Sequence, residues 1–278
     1  MSGTLYLCAT PIGNLEDITL RVLRTLQEVD VIAAEDTRNT IKLLNHFEIK
    51  TPMTSYHEYN KVDKAAYLVE QLANGKNIAL VTDAGTPAIS DPGEQAYAAG
   101  IPVTSLPGAC ACVTALTLSG LSTRRFAFEA FLPSDKKLRR KILDSLCTET
   151  RTVIIYEAPH HLRATLQELF AALGDRRLTI CRELTKIHES AMQFTLSEAI
   201  YYYEQNAPKG EYVLVIEGRN MADLEQESRD AWAQLSVNEH MQHYLSEGMD
   251  RKDAMKQVAK DRGVPKREIY QQLLNKDT

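Results

Sequence analysis

The chain has 278 residues, of which 44% are hydrophobic, and its formal net charge is −5. This length suits two α/β domains with a small additional module, and the hydrophobic fraction supports buried cores. The chain lacks an apolar run of the roughly 18 residues that a membrane span needs, and its start lacks a basic, apolar leader, so we expect a cytoplasmic protein with no membrane partner. Five scattered cysteines suit reduced thiols better than a disulfide framework.

The first 120 residues alternate short apolar runs with helix-like segments, and this alternation predicts an α/β domain with a largely parallel sheet over residues 1–120. Most of the apolar runs end in segments rich in glycine or proline. In open α/β sheets, ligands bind at the carboxyl ends of the strands, so we expect a binding site there. The predicted strands are Leu5–Ala9, Val29–Ala34, Ile78–Val81 and Val103–Leu106.

The pattern changes in residues 121–220, where strand-like runs follow one another with only two clear helices between them. This order predicts a second α/β domain with a mixed sheet. Residues 221–236 are polar and charged, and we interpret them as a linker or a linking helix. The predicted strands of the second domain are Phe126–Phe131, Thr152–Tyr156, Thr179–Glu183, Met192–Leu196 and Glu211–Glu217.

Residues 237–278 form a separate helical unit in the sequence. Ala254 and Val258 lie at helical spacing, Gly263 falls in a tight turn, and Lys266 begins a second, basic helix. A helix, a turn with glycine and a basic helix are typical of a helix-turn-helix. We therefore predict a helical RNA-binding module, with a structural or dimer-forming hairpin as the alternative.

Two clusters of basic residues qualify as nucleic-acid surfaces. Because the net charge is negative, an anionic polymer must be held by local basic patches. Solvated helix faces are the alternative explanation of such runs. The predicted RNA-binding residues are Arg124, Arg125, Lys136, Lys137, Arg139 and Arg140 in the first cluster, and Lys256, Lys260, Lys266 and Arg267 in the second.

Several common active-site signatures are missing from the sequence. The chain has no G-x-x-x-x-G-K-[ST], H-E-x-x-H, C-x-x-C or G-x-S-x-G segment, which argues against phosphoryl transfer and zinc hydrolysis. It also lacks G-x-G-x-x-G, which argues against a Rossmann dinucleotide site. Cys110 and Cys112 have no His or Cys cluster beside them, and the adjacent His160 and His161 point apart, so no metal site is predicted.

Seven segments occur in an order that resembles the tetrapyrrole methylase superfamily. They are L-Y-L-C-A-T-P-I-G-N-L-E-D-I-T, A-A-E-D-T-R-N-T, A-L-V-T-D-A-G-T-P-A-I-S-D-P-G, S-L-P-G-A-C-A-C-V-T-A-L, Y-E-A-P-H-H-L, R-E-L-T-K-I-H-E and K-G-E-Y-V-L-V-I-E-G. Within the superfamily, the chain is most similar to bacterial 16S ribosomal RNA cytidine 2′-O-methyltransferases, which carry such a helical tail. The resemblance covers nearly the whole chain.

The resemblance implies a two-domain α/β core with S-adenosylmethionine in the cleft between the domains. It also implies methylation of the 2′ oxygen of a cytidine in the decoding centre of 16S rRNA, within the small ribosomal subunit, by a homodimer. The alternatives are a tetrapyrrole or corrin C-methyltransferase, which is the founding activity of the superfamily, and a ligand-sensing helix-turn-helix DNA-binding regulator.

Strand-end loops can supply the apolar slot and polar anchors that S-adenosylmethionine needs. Pro11 fixes the first loop, and Gly85 permits close backbone approach. The free amides of the helix that follows Gly108 can hold a ligand oxygen. Ordinary turn chemistry is the alternative, and the second-domain residues are placed by motif position alone. The predicted cofactor-binding residues are Pro11, Asp83, Gly85, Thr86, Pro87, Cys110, Ala111, Tyr156, Ala158, Leu184, Lys209 and Gly210.

Methyl transfer to a hydroxyl is an in-line displacement, so holding the reacting oxygen near the methyl carbon is the main requirement. A proton acceptor helps, and a cation can face a phosphate or developing charge. The sequence alone does not choose among the candidates. They are Glu35, Asp36, His57, Glu183 and Glu189 as acceptors or orienting groups, and Arg38 and Lys186 as cations.

Overall fold

A computed structural model describes residues 2–56, 61–87 and 100–274, with the backbone alone for residues 61–65. Within these ranges the chain forms two five-stranded sheets and eleven α-helices. Two compact units are present, and both sheets lie in the larger one, which ends at Glu217. None of the helices in the described ranges has the length and apolar character needed to cross a membrane.

The first sheet is parallel throughout, in the order β3-β2-β4-β1-β5, which confirms the predicted parallel arrangement. Strand β4 is buried along its length, since its I-A-L-V side chains pack on both faces of the sheet. The short strand β3 was not predicted, because its three residues carry no periodic pattern. The elements are β1 (Leu5–Cys8), α1 (Leu20–Glu28), β2 (Val31–Ala34), α2 (Thr37–His46), β3 (Met53–Ser55), α3 (Lys61–Ala73), β4 (Ile78–Val81) and β5 (Val103–Leu106).

The second sheet is mixed, as predicted, in the order β6-β7-β10-β8-β9. Strands β6 and β7 are parallel, and the other pairs are antiparallel. Three helices accompany this sheet, one more than the sequence indicated. The elements are β6 (Phe126–Phe131), α5 (Lys136–Leu146), β7 (Thr152–Glu157), α6 (Leu162–Leu173), β8 (Arg177–Arg182), β9 (Ser190–Thr195), α7 (Leu196–Gln205) and β10 (Tyr212–Ile216), with α4 (Ala111–Leu118) preceding them.

Helix α4 follows the last strand of the first sheet but packs against the second sheet. Its buried residues Ala115 and Leu116 share a core cluster with Ile154 and Val215 of the second sheet. The carbonyl of Ser119, just after the helix, accepts a hydrogen bond of 2.8 Å from the Thr179 hydroxyl of β8. The predicted boundary at residue 120 therefore separates two sheets, but it does not separate two independent cores.

The smaller unit contains four helices and residues 147–150. The predicted helix-turn-helix is present, and its turn contains Gly263 with a φ of 63°. The segment predicted as a linker is largely helical. A core that includes Met241, Val258 and Ile269 holds three of the helices together. The helices are α8 (Met221–Ala233), α9 (Val237–Ser246), α10 (Arg251–Asp261) and α11 (Lys266–Leu274).

Replacing Leu166 by alanine should destabilise the larger unit. The side chain lies in α6, is fully buried against the second sheet, and belongs to the largest apolar cluster. Loss of a buried leucine costs about 2–5 kcal/mol through lost burial and the cavity left behind. Leu138→Ala in α5 is the control, because Leu138 is 49% exposed. Urea unfolding followed by circular dichroism measures both, and equal effects would contradict the assigned core.

Candidate active site

A cavity of about 490 Å³ lies where the two sheets of the larger unit meet. Its volume is in the range of about 300–1,000 Å³ typical of small-molecule sites. Loops that follow β1, β4 and β5 form one side, and the ends of β6 and β7, the loop after β8 and the start of β10 form the other. Its lining includes Ile12, Ala84, Phe131, Pro159, Glu211, Tyr212 and Val213, none of which the sequence analysis selected.

Eight of the twelve predicted cofactor-binding residues line this cavity. Of the other four, Pro11 lines a smaller neighbouring cavity. Pro87, Lys209 and Gly210 line neither cavity, although the Lys209 amide donates to the Tyr212 hydroxyl at 3.0 Å. The eight are Asp83, Gly85, Thr86, Cys110, Ala111, Tyr156, Ala158 and Leu184.

The loops that follow β1, β4 and β5 are tied together by hydrogen bonds. Thr10 and Gly85 exchange two backbone hydrogen bonds of 2.9 and 3.0 Å. The Thr86 hydroxyl donates to the carbonyl of Ala109 at 3.0 Å. Gly85 has a φ of 83°, and a Cβ there would lie 3.3 Å from the Ile12 side chain, so glycine suits both the backbone and the space. This wall of the cavity is therefore fixed before any ligand binds.

Tyr156 connects the second sheet to the beginning of α4. Its hydroxyl accepts a hydrogen bond of 3.0 Å from the amide of Cys112, so that amide is already satisfied. The side chain of Cys110, the residue that precedes the helix, makes no capping hydrogen bond. Phe128 and Phe131 pack edge-on against the Tyr156 ring, with centroids 4.9 and 5.6 Å away. The amides of Cys110 and Ala111 remain as the ones that a ligand oxygen could use.

Two thiols lie at the same helix end. The sulfur atoms of Cys110 and Cys112 are 3.4 Å apart. The hydrogen bond from the Cys112 thiol lowers the pKa of the Cys110 thiol to about 6, whereas the same interaction raises the pKa of Cys112. Cys110, the thiol of the pair whose pKa is lowered, lines the cavity.

Two of the candidate catalytic groups, Glu35 and Asp36, lie beside Asp83 at the carboxyl edge of the first sheet. The Thr82 hydroxyl donates to Glu35 at 2.5 Å. The two Asp83 oxygens accept from the Asp36 amide at 3.1 Å and from the Asn39 side chain at 3.2 Å. Burial, reinforced by the neighbouring Glu35 and Asp36 charges, raises the pKa of Asp83. Asp83 is thus held in a fixed orientation at the cavity wall.

Asp36 and Arg38 form an ion pair at the beginning of α2. The Asp36 carboxylate caps helix α2 through the Arg38 amide at 2.8 Å and pairs with the Arg38 guanidinium at 2.7 Å. These hydrogen bonds lower the pKa of Asp36 to about 2, so it is a poor proton acceptor. The Arg38 side chain is 87% exposed, which leaves it accessible to a phosphate.

The candidates of the second sheet form a separate network. Lys186 lies 3.0 Å from the Glu183 carboxylate and 2.8 Å from that of Glu211. The Glu211 amide donates to Glu183 at 2.9 Å and is the main reason that the pKa of Glu183 is lowered. Glu189 accepts from the Thr185 amide at 2.5 Å, within its own loop. These groups support the cavity wall near Glu211.

Two predicted elements of the site are not tested. His57 lies outside the described residues, as do residues 88–93 of the third motif. Across the part of the chain that the structure describes, no group of three or more His, Cys, Asp or Glu side chains is arranged to hold a metal ion.

Comparison with known proteins agrees with this architecture. Residues 4–200 match the model of the Tetrapyrrole (Corrin/Porphyrin) Methylases. A solved uroporphyrin-III-C-methyltransferase from Thermus thermophilus superposes with a TM-score of 0.55 at 21% identity, covering 77% of this chain and 94% of that one, which supports the fold alone. The chain belongs to the tetrapyrrole methylase family.

Within this family, relatives that match much or nearly all of the chain are named ribosomal RNA small subunit methyltransferase I. The Halalkalibacterium halodurans protein is 52% identical, with 96% of this chain and 93% of that protein covered. The Thermotoga maritima protein is 44% identical, with 78% of this chain but 99% of that protein covered. About a fifth of this chain thus has no counterpart in the Thermotoga protein, a share similar in size to the smaller unit.

Replacing Gly210 by alanine should weaken cofactor binding. A Cβ at this position would lie 2.5–2.6 Å from the Glu183 carboxyl group, so the Glu183–Lys186 network must move. Gly174→Ala is a matched control, because Gly174 also has a positive φ, of 74°, but has nothing within 4 Å of a Cβ. Calorimetric titration with S-adenosylhomocysteine should show weaker binding for Gly210→Ala only. Equal affinities would mean that this network does not shape the cavity.

Cys110 should react with iodoacetamide below the pH at which an ordinary thiol reacts. Its lowered pKa means that the reactive thiolate forms as the pH rises through about 6, compared with about 8.5 for a free thiol. S-adenosylhomocysteine should protect Cys110, which lines the cavity, but not Cys147, which does not. Peptide mass mapping across a pH series measures both effects. A midpoint near 8.5, or protection of neither cysteine, would count against the assigned site.

Proposed function

We propose that the protein transfers a methyl group from S-adenosylmethionine to the 2′ oxygen of a cytidine in the decoding centre of 16S ribosomal RNA. The observation that carries this proposal is the full-length similarity to proteins named ribosomal RNA small subunit methyltransferase I, combined with a formed cavity at the strand ends. A substrate in the small ribosomal subunit places the reaction in the cytoplasm. We also infer a homodimer, from the family resemblance.

The residues around the larger cavity suit S-adenosylmethionine. Ile12, Leu184 and Val213 give apolar surface for an adenosine. The amides of Cys110 and Ala111, at the beginning of α4, are free to bind the oxygens of the methionine end. When bound, the cofactor supplies a methyl carbon on a positively charged sulfur, and Cys110 lines the cavity that would hold it.

Transfer to a ribose hydroxyl depends mainly on close alignment of the acceptor, and a positioned proton acceptor increases the rate further. The protein supplies alignment through its rigid loops, since Gly85 and Thr86 hold the loops after β1, β4 and β5 together. Of the candidate acceptors, Asp36 has a pKa of about 2, and Glu183 is held by Lys186. Asp83, which the sequence predicted as a cofactor contact and not as an acceptor, is a carboxylate that lines the cavity and is oriented by two donors.

The two alternatives are less well supported. A tetrapyrrole C-methyltransferase has the same fold, but the solved relative of that kind is only 21% identical, against 52% for the ribosomal RNA relative. A DNA-binding regulator would need only a sensing cavity, which leaves the similarity of the α/β core to named methyltransferases unexplained.

The proposed RNA surface keeps most of the predicted basic residues. Arg139 is an exception, because its side chain is only 16% exposed and its guanidinium binds Glu168 at 2.6 Å and Thr165 at 2.7 Å. The Thermotoga relative has the same name as the full-length relatives although it aligns with only 78% of this chain. We therefore infer that the smaller unit adds RNA affinity and not chemistry. The exposed residues are Arg124, Arg125, Lys136, Lys137 and Arg140 in the larger unit, and Lys256, Lys260, Lys266 and Arg267 in the smaller one.

The product distinguishes ribose methylation from base methylation. The purified protein, with S-adenosylmethionine carrying a labelled methyl group, should label small ribosomal subunits from cells that lack the enzyme. A 2′-O-methyl group removes the hydroxyl that alkaline cleavage requires, so complete alkaline hydrolysis should leave the label in a dinucleotide. Heat-inactivated protein is the control. Label found only in mononucleotides would exclude ribose methylation, and absence of label would exclude the proposed substrate.

A further inference from the structure

A smaller cavity of about 240 Å³ lies beside the cofactor cavity. It is below the range of about 300–1,000 Å³ for drug-sized ligands, so it suits a smaller group than the cofactor. Thr82 and Asp83 line both cavities. The rest of its wall comes from the loop after β1 and the first two turns of α2, including Leu15, Asn39, Lys42 and Leu43.

We propose that this smaller cavity receives the acceptor nucleotide and that Asp83 orients the ribose 2′ hydroxyl. The inference rests on the proposed function. A methyl group can pass only where donor and acceptor meet, with the reacting atoms about 3–3.5 Å apart. Thr82 and Asp83 line both cavities, so a donor in the larger cavity and an acceptor in the smaller one would approach each other beside these two residues.

Asp83 has the chemistry that this position needs. The Asp36 amide and the Asn39 side chain fix its carboxylate. The carboxylate accepts a hydrogen bond from the hydroxyl and takes its proton as the oxygen–carbon bond forms, while the electron pair of the carbon–sulfur bond stays on sulfur. Its raised pKa makes it a better proton acceptor than Asp36. This role replaces the predicted contact of Asp83 with the cofactor.

Two other residues suit a nucleotide. Lys42 is exposed and has no ion-pair partner among the residues that the structure describes, so its ammonium is available to a phosphate. Leu15 is 40% exposed and provides apolar surface against which a base can lie. A cation, an apolar wall and an oriented carboxylate around one small cavity match the phosphate, base and ribose of a single nucleotide.

Removing the Lys42 ammonium should weaken RNA binding without affecting the cofactor. Lys42→Ala should raise the KM for small ribosomal subunits about tenfold, since one charge-assisted hydrogen bond is lost. It should also reduce, by about 0.7–0.9, the slope of the logarithm of the RNA association constant against the logarithm of the salt concentration. Lys76→Ala is the control, because Lys76 is exposed but precedes β4, at the opposite edge of the sheet. S-adenosylhomocysteine affinity should stay as in the parent for both.

Filling the cavity and neutralising the carboxylate test the other two contacts. Leu15→Trp should weaken RNA retention on filters, measured with S-adenosylhomocysteine bound, whereas Ile41→Trp, on the neighbouring helix face at 42% exposure, should not.

Asp83→Asn should lower kcat about 100-fold, the effect of losing a positioned proton acceptor. It should leave KM and S-adenosylhomocysteine affinity nearly unchanged and should remove the fall of kcat at acid pH.

The outcomes separate this inference from the proposed function. If the parent protein does not methylate ribosomal RNA, the proposed function fails. If the parent is active and Lys42→Ala and Leu15→Trp behave like their controls, only the acceptor site is wrong. Weaker S-adenosylhomocysteine binding by Leu15→Trp would assign the smaller cavity to the cofactor, and a pH profile of Asp83→Asn equal to that of the parent would remove Asp83 from proton transfer.

Discussion

Helix α4 begins at the carboxyl edge of the first sheet and buries its apolar side chains against the second. This packing joins two sheets that the chain builds separately, and the hydrogen bond from the Cys112 amide to the Tyr156 hydroxyl fixes the joint at 3.0 Å. The cavity exists because strand ends from both sheets are held around the start of this helix. Without that packing, the ligand-facing loops of the first sheet would have no opposite wall.

Charge is distributed unevenly around this joint. On the first sheet, the Glu35 and Asp83 carboxylates accept hydrogen bonds from the Thr82 hydroxyl, the Asp36 amide and the Asn39 side chain. On the second sheet, Lys186 neutralises Glu183 and Glu211. Carboxylates on the two sheets therefore have different roles. Asp83 on the first sheet lines both cavities, whereas Glu183 and Glu211 on the second sheet stabilise a cavity wall.

The smaller unit has its own core and carries exposed basic side chains on a chain whose net charge is negative. Local concentration of cations is the physical requirement for binding an anionic polymer under these conditions. The Thermotoga relative keeps its name with about a fifth of this chain unmatched.

The sequence by itself determined both sheets apart from β3, their parallel and mixed character, the helix-turn-helix and eight of the residues that line the larger cavity. Apolar runs and turn residues are local signals, and residues such as Gly85 and Thr86 lie in the loop that follows β4. Only the tertiary structure decided that α4 packs on the second sheet, that Phe131 and Val213 line the cavity, that Arg139 is engaged internally, and that Asp83 borders two cavities. These facts depend on contacts between residues far apart in the chain, which no local pattern encodes.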